Sequence, residues 1–293
     1  MKSFRGTGVA LVTPFKTDLS IDFDSLKKLV QLQIANGIDF LVVQGTTGES
    51  PVLNSDEKQQ VLNTVIKVNN GRLPIVYGVG GNNTMEVAKA FKNIPQGVDG
   101  ILSVSPYYNK PTQEGIYQHY KAIAACTDLP IILYNVPGRT GSNIAAETSL
   151  RLAEIKNIVA VKEASGNMEQ IMDIIRSKPE GFDVLSGDDA LTLPMIAAGA
   201  VGVISVVGQA YPEAFTAMVN ASVKGDFDTA RKYHYELLHV TKLFFTEGNP
   251  GGVKVALEAR GILSNVLRLP LVPVSDKLRN EIIAETNKIV GNN

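Results

Sequence analysis

A lysine closes a run of interior-type residues in IVAVKEASG, residues 158–166: four apolar positions, Ile158 to Val161, lead to Lys162 and then to a loop of small residues. Side chains alternate along a strand, so Ile158, Ala160 and Lys162 are expected on one face. The preceding apolar run, PIILYN, carries Tyr134 near its end, and the same parity puts Ile132 and Tyr134 on the matching face. Adjacent strands lie about 5 Å apart, which makes Tyr134 and Lys162 expected neighbours. A lysine so placed has three uses: a solvated strand end, a fixed positive charge for an acid or phosphate, or a nucleophile that forms a Schiff base with a carbonyl compound. The third use needs an uncharged amine, and at an ordinary pKa only ~1 lysine in 2,500 is neutral at pH 7. Apolar surroundings disfavour the ammonium, and three pKa units correspond to about 4 kcal/mol. An adjacent tyrosine suits the proton transfers of carbinolamine formation and dehydration.

Three further stretches carry candidate chemistry. In GTTGES, residues 45–50, two glycines flank Thr46 and Thr47. Such a loop is either a simple tight turn or a cradle in which backbone N–H groups and two hydroxyls converge on an anion. In YNVPGRTG, residues 134–141, Arg139 follows Tyr134 closely, either as a surface cation or as a planar fork for a substrate carboxylate. In SPYYNKP, residues 105–111, Tyr107 and Tyr108 end a strand, where exposed aromatic rings commonly pack on another subunit. YGVGGNN, residues 77–83, lacks the third glycine of a dinucleotide fingerprint and reads as a turn. His119, His234 and His239 have no matching carboxylate or thiol cluster, so no metal site is expected and all three read as structural.

The elements that must position these residues are short apolar runs near residues 9, 40, 74, 100, 130, 158, 182 and 201, with helical periodicity between them. In the first intervening segment Phe23, Leu26, Leu29, Val30 and Ile34 share a face and Gly37 follows as a stop. The second begins at Asn54 with Glu57 three residues on, a capping-box arrangement. Eight strands alternating with helices are expected to close into a (β/α)8 TIM barrel, with an open doubly wound sheet as the rival. The barrel is expected to span residues 1–224. Residues 225–293 carry no strand pattern and read as about three helices, a C-terminal helical domain packed on the barrel. The region LPMIAAGAVGVISVVGQA is broken by Gly199, Gly202 and Gly208, and reads as helix, turn and buried strand rather than a membrane span. A net charge of −1 over 293 residues gives no electrostatic case for nucleic acid or an anionic membrane. A single cysteine, Cys126, and an N-terminus without a signal-peptide pattern suit a cytoplasmic protein.

GTTGES, YYNKP, YNVPGRTG, VKEASG and LSGDD occur in one order on one barrel pattern, and together they resemble the dihydrodipicolinate synthase family of pyruvate-dependent aldolases. The resemblance covers essentially the whole chain. It implies that Lys162 forms a Schiff base with pyruvate and that the pyruvate carboxylate lies on Thr46 and Thr47, with main-chain contacts near Gly187 and Ile204. It implies a proton relay of Tyr134, Thr47 and Tyr108, the last from a neighbouring subunit, and a role for Arg139 on the carboxylate of aspartate semialdehyde. A homotetramer built from tight dimers follows, and no cofactor beyond the covalent imine. Related sugar-acid aldolases, such as N-acetylneuraminate lyase, would share the lysine and tyrosine but tend to differ at Arg139 and the double threonine. A non-catalytic keto-acid-binding relative is the other alternative.

The sequence also departs from the family. Many members are inhibited by lysine at a subunit-interface pocket, and Asn82, Glu86 and Tyr107 match it. Ser55 and Lys58 stand where sensitive members tend to carry imidazole or carboxylate groups, so weak or absent inhibition is expected. Gly251 and Gly252 replace bulkier residues in NPGGVK, where a local backbone effect is expected.

Overall fold

The computed structural model describes residues 2–291. Eight strands are each followed by helical structure: β1 (Gly6–Ala10), α1 (Phe23–Ala35), β2 (Phe40–Val43), α2 (Ser55–Asn69), β3 (Ile75–Gly78), α3 (Thr84–Lys92), β4 (Gly100–Val104) and α4 (Gln113–Ala124). The second half continues with β5 (Ile131–Asn135), a short α5 (Pro137–Thr140), α6 (Ala146–Ala153), β6 (Ile158–Glu163), α7 (Met168–Ser177), β7 (Asp183–Ser186), α8 (Thr192–Ala197), β8 (Gly202–Ser205) and α9 (Pro212–Val223). Three further helices follow: α10 (Phe227–Thr246), α11 (Gly251–Ala259) and α12 (Asp276–Gly291). The strands run parallel in sequence order and β8 closes on β1, with Thr7 opposite Val203. The fold is the expected TIM barrel.

Each strand is apolar on both faces because each face is covered. Ala10, Phe40, Val42, Val76, Leu102, Ile132, Ala160, Leu185 and Ile204 fill the barrel interior. Val9, Leu41, Ile101, Leu133, Val161 and Val203 turn outward into the layer beneath the helices. Local signals fix the helix ends. Asp22 accepts from the Ser25 N–H at the start of α1, and the Asn54–Glu57 capping box opens α2 with both reciprocal bonds in place.

One expectation of parity fails. Ile131 pairs with Ile158 but Ile132 pairs with Ala160, so β6 carries an extra residue at Val159. This bulge turns Ile158 outward, into the layer under the helices, while Val159 packs toward the barrel interior. Beyond the bulge the alternation resumes, and Ala160 and Lys162 face inward as expected.

The C-terminal helices share one continuous core with the outer layer of the barrel, through Leu237, Val240, Phe244, Val253, Leu257 and Ile282. The Gly251–Gly252 pair acts through helix packing: a Cβ on Gly252 would fall 2.5 Å from Phe244 Cα, so glycine lets α11 approach α10 closely. The glycine-broken apolar region resolves into α8 and β8. Among the described residues no helix is long and apolar enough to cross a membrane.

Candidate active site

Tyr134 and Lys162 are direct register partners on β5 and β6, at the C-terminal ends of their strands. Both are buried, and Lys162 Nζ lies 4.2 Å from the centroid of the Tyr134 ring. Its ammonium makes no ion pair or hydrogen bond among the described residues, and the face of the Tyr134 ring lies against it. Gly187 is placed against it, since a Cβ there would come within 2.9 Å of Lys162 Cε. Ile204, 1% exposed, belongs to the same interior cluster. The lysine, the tyrosine, the glycine and the isoleucine therefore meet at one mouth of the barrel.

The turn behind Lys162 is locked by polar contacts. Glu163 points the opposite way, fully buried, and its carboxylate accepts from Asn135 Nδ2 at 2.8 Å, Gln170 Nε2 at 3.1 Å and Ser165 Oγ at 2.7 Å. Burial raises its pKa, and these donors oppose the shift only in part. Asp189, from the LSGDD stretch, does similar work between β7 and β8. It accepts from Ser205 Oγ and from the Val206 N–H at 3.0 Å. Burial pushes its carboxyl up to about 6. The strand end that carries Ile204 is thereby tied to the loop that carries Gly187.

The GTTGES loop forms a 3-10 turn over Thr46–Gly48 after β2, with Glu49 in the left-handed region at φ 52°. Its two threonines differ. Thr46 is exposed and its hydroxyl has no hydrogen-bond partner among the described residues, whereas Thr47 is buried and its Oγ1 accepts from Asn249 Nδ2 at 2.9 Å. The rest of the loop is held from beneath. Thr13 Oγ1 donates to the Gly48 carbonyl at 2.7 Å. Lys254 Nζ donates to Glu49 Oε1 at 2.6 Å, and the Arg268 N–H to Glu49 Oε2 at 3.2 Å. Lys254 is fully buried, bonded also to the Val266 carbonyl at 2.8 Å and seated over the Phe15 ring.

Arg139 lies exposed on α5, the helical turn that follows β5, and has no ion-pair partner among the described residues. Tyr108 is 87% exposed and holds a left-handed backbone at φ 69°, with its N–H on the Thr140 carbonyl at 3.4 Å. Within one chain it stands in solvent. Of the residues matched to a regulatory pocket, Asn82 donates to the Tyr107 carbonyl at 3.4 Å. Glu86 opens α3, and Ser55 and Lys58 lie in the first turn of α2. Lys58 is half-buried, and desolvation lowers its pKa.

Sequence reasoning missed Asn249, Glu49, Lys254, Arg268 and Asp189 as parts of the site's frame. GTTGES, NPGGVK and LSGDD were visible as motifs, but the bonds that join GTTGES to NPGGVK run across 202 and 205 positions.

A closed parallel barrel that buries a lysine against a tyrosine at its strand ends has the make-up of a class I aldolase, a lyase. The model of the dihydrodipicolinate synthetase family matches residues 3–289, and the chain belongs to that family. The 4-hydroxy-tetrahydrodipicolinate synthase of Parabacteroides distasonis is 55% identical over 273 residues, 92% of each chain. The dihydrodipicolinate synthase of Aquifex aeolicus superposes with a TM-score of 0.94 at 43% identity, covering 98% of each chain. A chloride-inhibited synthase from Acinetobacter baumannii, crystallised with pyruvate, gives a TM-score of 0.94 at 39% identity over 99% of this chain and 99% of that one. These relatives support synthase activity, within amino-acid biosynthesis, over the sugar-acid aldolase alternative.

Proposed function

We propose that the chain condenses pyruvate with aspartate semialdehyde, using Lys162 as the imine-forming amine. The observation that carries this reading is the buried Lys162, free of any ion pair among the described residues and set against Tyr134. The amine adds to the keto carbon of pyruvate, and loss of water gives an iminium that serves as the electron sink. Loss of a methyl proton then gives an enamine, whose carbon attacks the aldehyde of the second substrate. That substrate's own amine next adds to the imine carbon and displaces Lys162, so the ring closes and the enzyme is regenerated. Every electron pair in this sequence is supplied by lysine, substrate or water, and no further cofactor is invoked.

The different settings of the two threonines favour a division of labour. Thr47 and the backbone of its turn hold the pyruvate carboxylate, with the main chain near Gly187 and Ile204. Thr46, whose hydroxyl at the mouth has no partner among the described residues, is the better member of the relay with Tyr134 and Tyr108 than Thr47, which the family resemblance implies. Arg139, unpaired and exposed, receives the carboxylate of the aldehyde. Tyr108 reaches a site only if a second subunit presents it, which supports a tight dimer and, by family resemblance, a homotetramer in the cytoplasm.

Borohydride reduction in the presence of pyruvate tests the central step. The wild type is expected to gain one reduced pyruvyl group, located at Lys162 by peptide mass, and Lys162→Arg none. A label on any other residue removes Lys162 from its role. Sedimentation of the purified chain tests the assembly, and a monomer with full activity would exclude a shared Tyr108.

A further inference from the structure

We propose that Asn249, which lies outside the barrel just before α11, is a positioning residue for pyruvate: it fixes the Thr47 hydroxyl so that its proton is offered to the substrate carboxylate. The inference rests on the reading of the threonine loop as the pyruvate site. A hydroxyl can accept and donate at once, and its rotor chooses the direction. Asn249 Nδ2 is donor-only and sits 2.9 Å from Thr47 Oγ1. It therefore takes the accepting side of the hydroxyl and leaves the proton for another partner. An anion is the partner that such a proton recognises.

Two further observations favour this role over a merely structural one. Asn249 is 7% exposed, its Oδ1 is buried without a hydrogen-bond partner among the described residues, and the side-chain bond it makes is the one from Nδ2 to Thr47. The neighbouring residues of the loop already have other holders, Thr13 on Gly48 and the Lys254–Arg268 pair on Glu49. Those contacts fall on the Gly48 carbonyl and the Glu49 carboxylate, whereas the Asn249 contact falls on the Thr47 hydroxyl and sets the direction of its O–H bond. Its effect therefore belongs to pyruvate affinity and not to the later chemical steps.

The test is a cycle of Asn249→Ala and Thr47→Val, read as the pyruvate concentration that half-saturates borohydride trapping, beside kcat. Asn249→Ala is expected to raise half-saturation about tenfold in the Thr47 background, with kcat within about threefold, and to change it less than twofold in the Thr47→Val background. Asn249→Asp keeps the shape but accepts only, which reverses the hydroxyl, so it is expected to bind pyruvate at least as weakly as the alanine variant. An equal rise in both backgrounds, or unchanged half-saturation in Asn249→Asp, overturns the proposal. If Asn249→Ala does not fold, the near-isosteric aspartate decides alone. Failure of the wild type to trap pyruvate at all would instead strike the underlying reading of Lys162.

Discussion

The mouth of the barrel and the clamp beneath the threonine loop treat polar groups in opposite ways. At the mouth, Lys162, Thr46, Arg139 and Tyr108 carry reactive or charged atoms without a side-chain hydrogen bond or ion pair among the described residues. A few residues away, Glu49 and Lys254 are buried to 1% and 0% of their side-chain surface and bonded to each other, with Arg268 and Val266 completing the set. These mouth groups are left without a side-chain partner by the chain, while the Glu49–Lys254 pair beneath the loop is bonded within it. The low dielectric that makes the clamp rigid would make an unpaired charge inside it costly. The mouth escapes that cost because solvent or substrate completes it.

This contrast can be broken by experiment, beginning with the largest effect. Tyr134→Phe removes only the phenolic proton donor of the mouth. It is expected to lower kcat/KM by about a hundredfold or more while leaving the unfolding midpoint within a degree or two of wild type. A stability loss without an activity loss would invert the assignment. Lys254→Met does the opposite, leaving Glu49 buried without its ammonium partner. It is expected to cost about 3–5 kcal/mol in denaturant unfolding, with residual activity once folded protein is counted. An unchanged midpoint would mean that the pair does not hold the loop.

Asp189 sharpens the comparison through pH. Its pKa rises on folding, from 3.8 to about 6, so the folded state keeps the proton over a range where the unfolded chain has lost it. Its contribution to stability is therefore complete below about pH 4 and lost as pH rises through about 6. Relative to Asp189→Asn, which cannot titrate, the wild type is expected to lose up to about 3 kcal/mol between those limits. A flat difference across that window would show that the carboxyl is not desolvated. The smallest effect concerns lysine. A half-buried cation at Lys58 repels a second one, so half-inhibition is expected well above about 1 mM, and sub-millimolar inhibition would reject the pocket as described.

The strands were legible because a buried parallel sheet needs apolar residues on both faces, and the lysine stood out because it ends such a run. The pairing of Tyr134 with Lys162 followed from parity counted back from the strand ends. The same counting failed at Ile158, because a bulge adds a residue without any local signal. The clamp was illegible for a different reason. Lys254 lies in a segment that reads as an ordinary helix, yet its ammonium sits in the interior beside Glu49. A bond between residues 205 positions apart leaves no periodicity to read. The difference between Thr46 and Thr47 also appears only once Asn249 is in place.

The contact between Thr47 and Asn249 has a consequence for biosynthesis. The threonine leaves the ribosome 202 residues ahead of the amide that orients it, and Glu49 leaves 205 ahead of its lysine. Strands β1 to β8 can emerge in full while this loop still waits for its anchors. A nascent chain stalled after the last strand would thus present a finished barrel with an unfinished carboxylate pocket, and competence arrives only with the segment from Asn249 to Arg268.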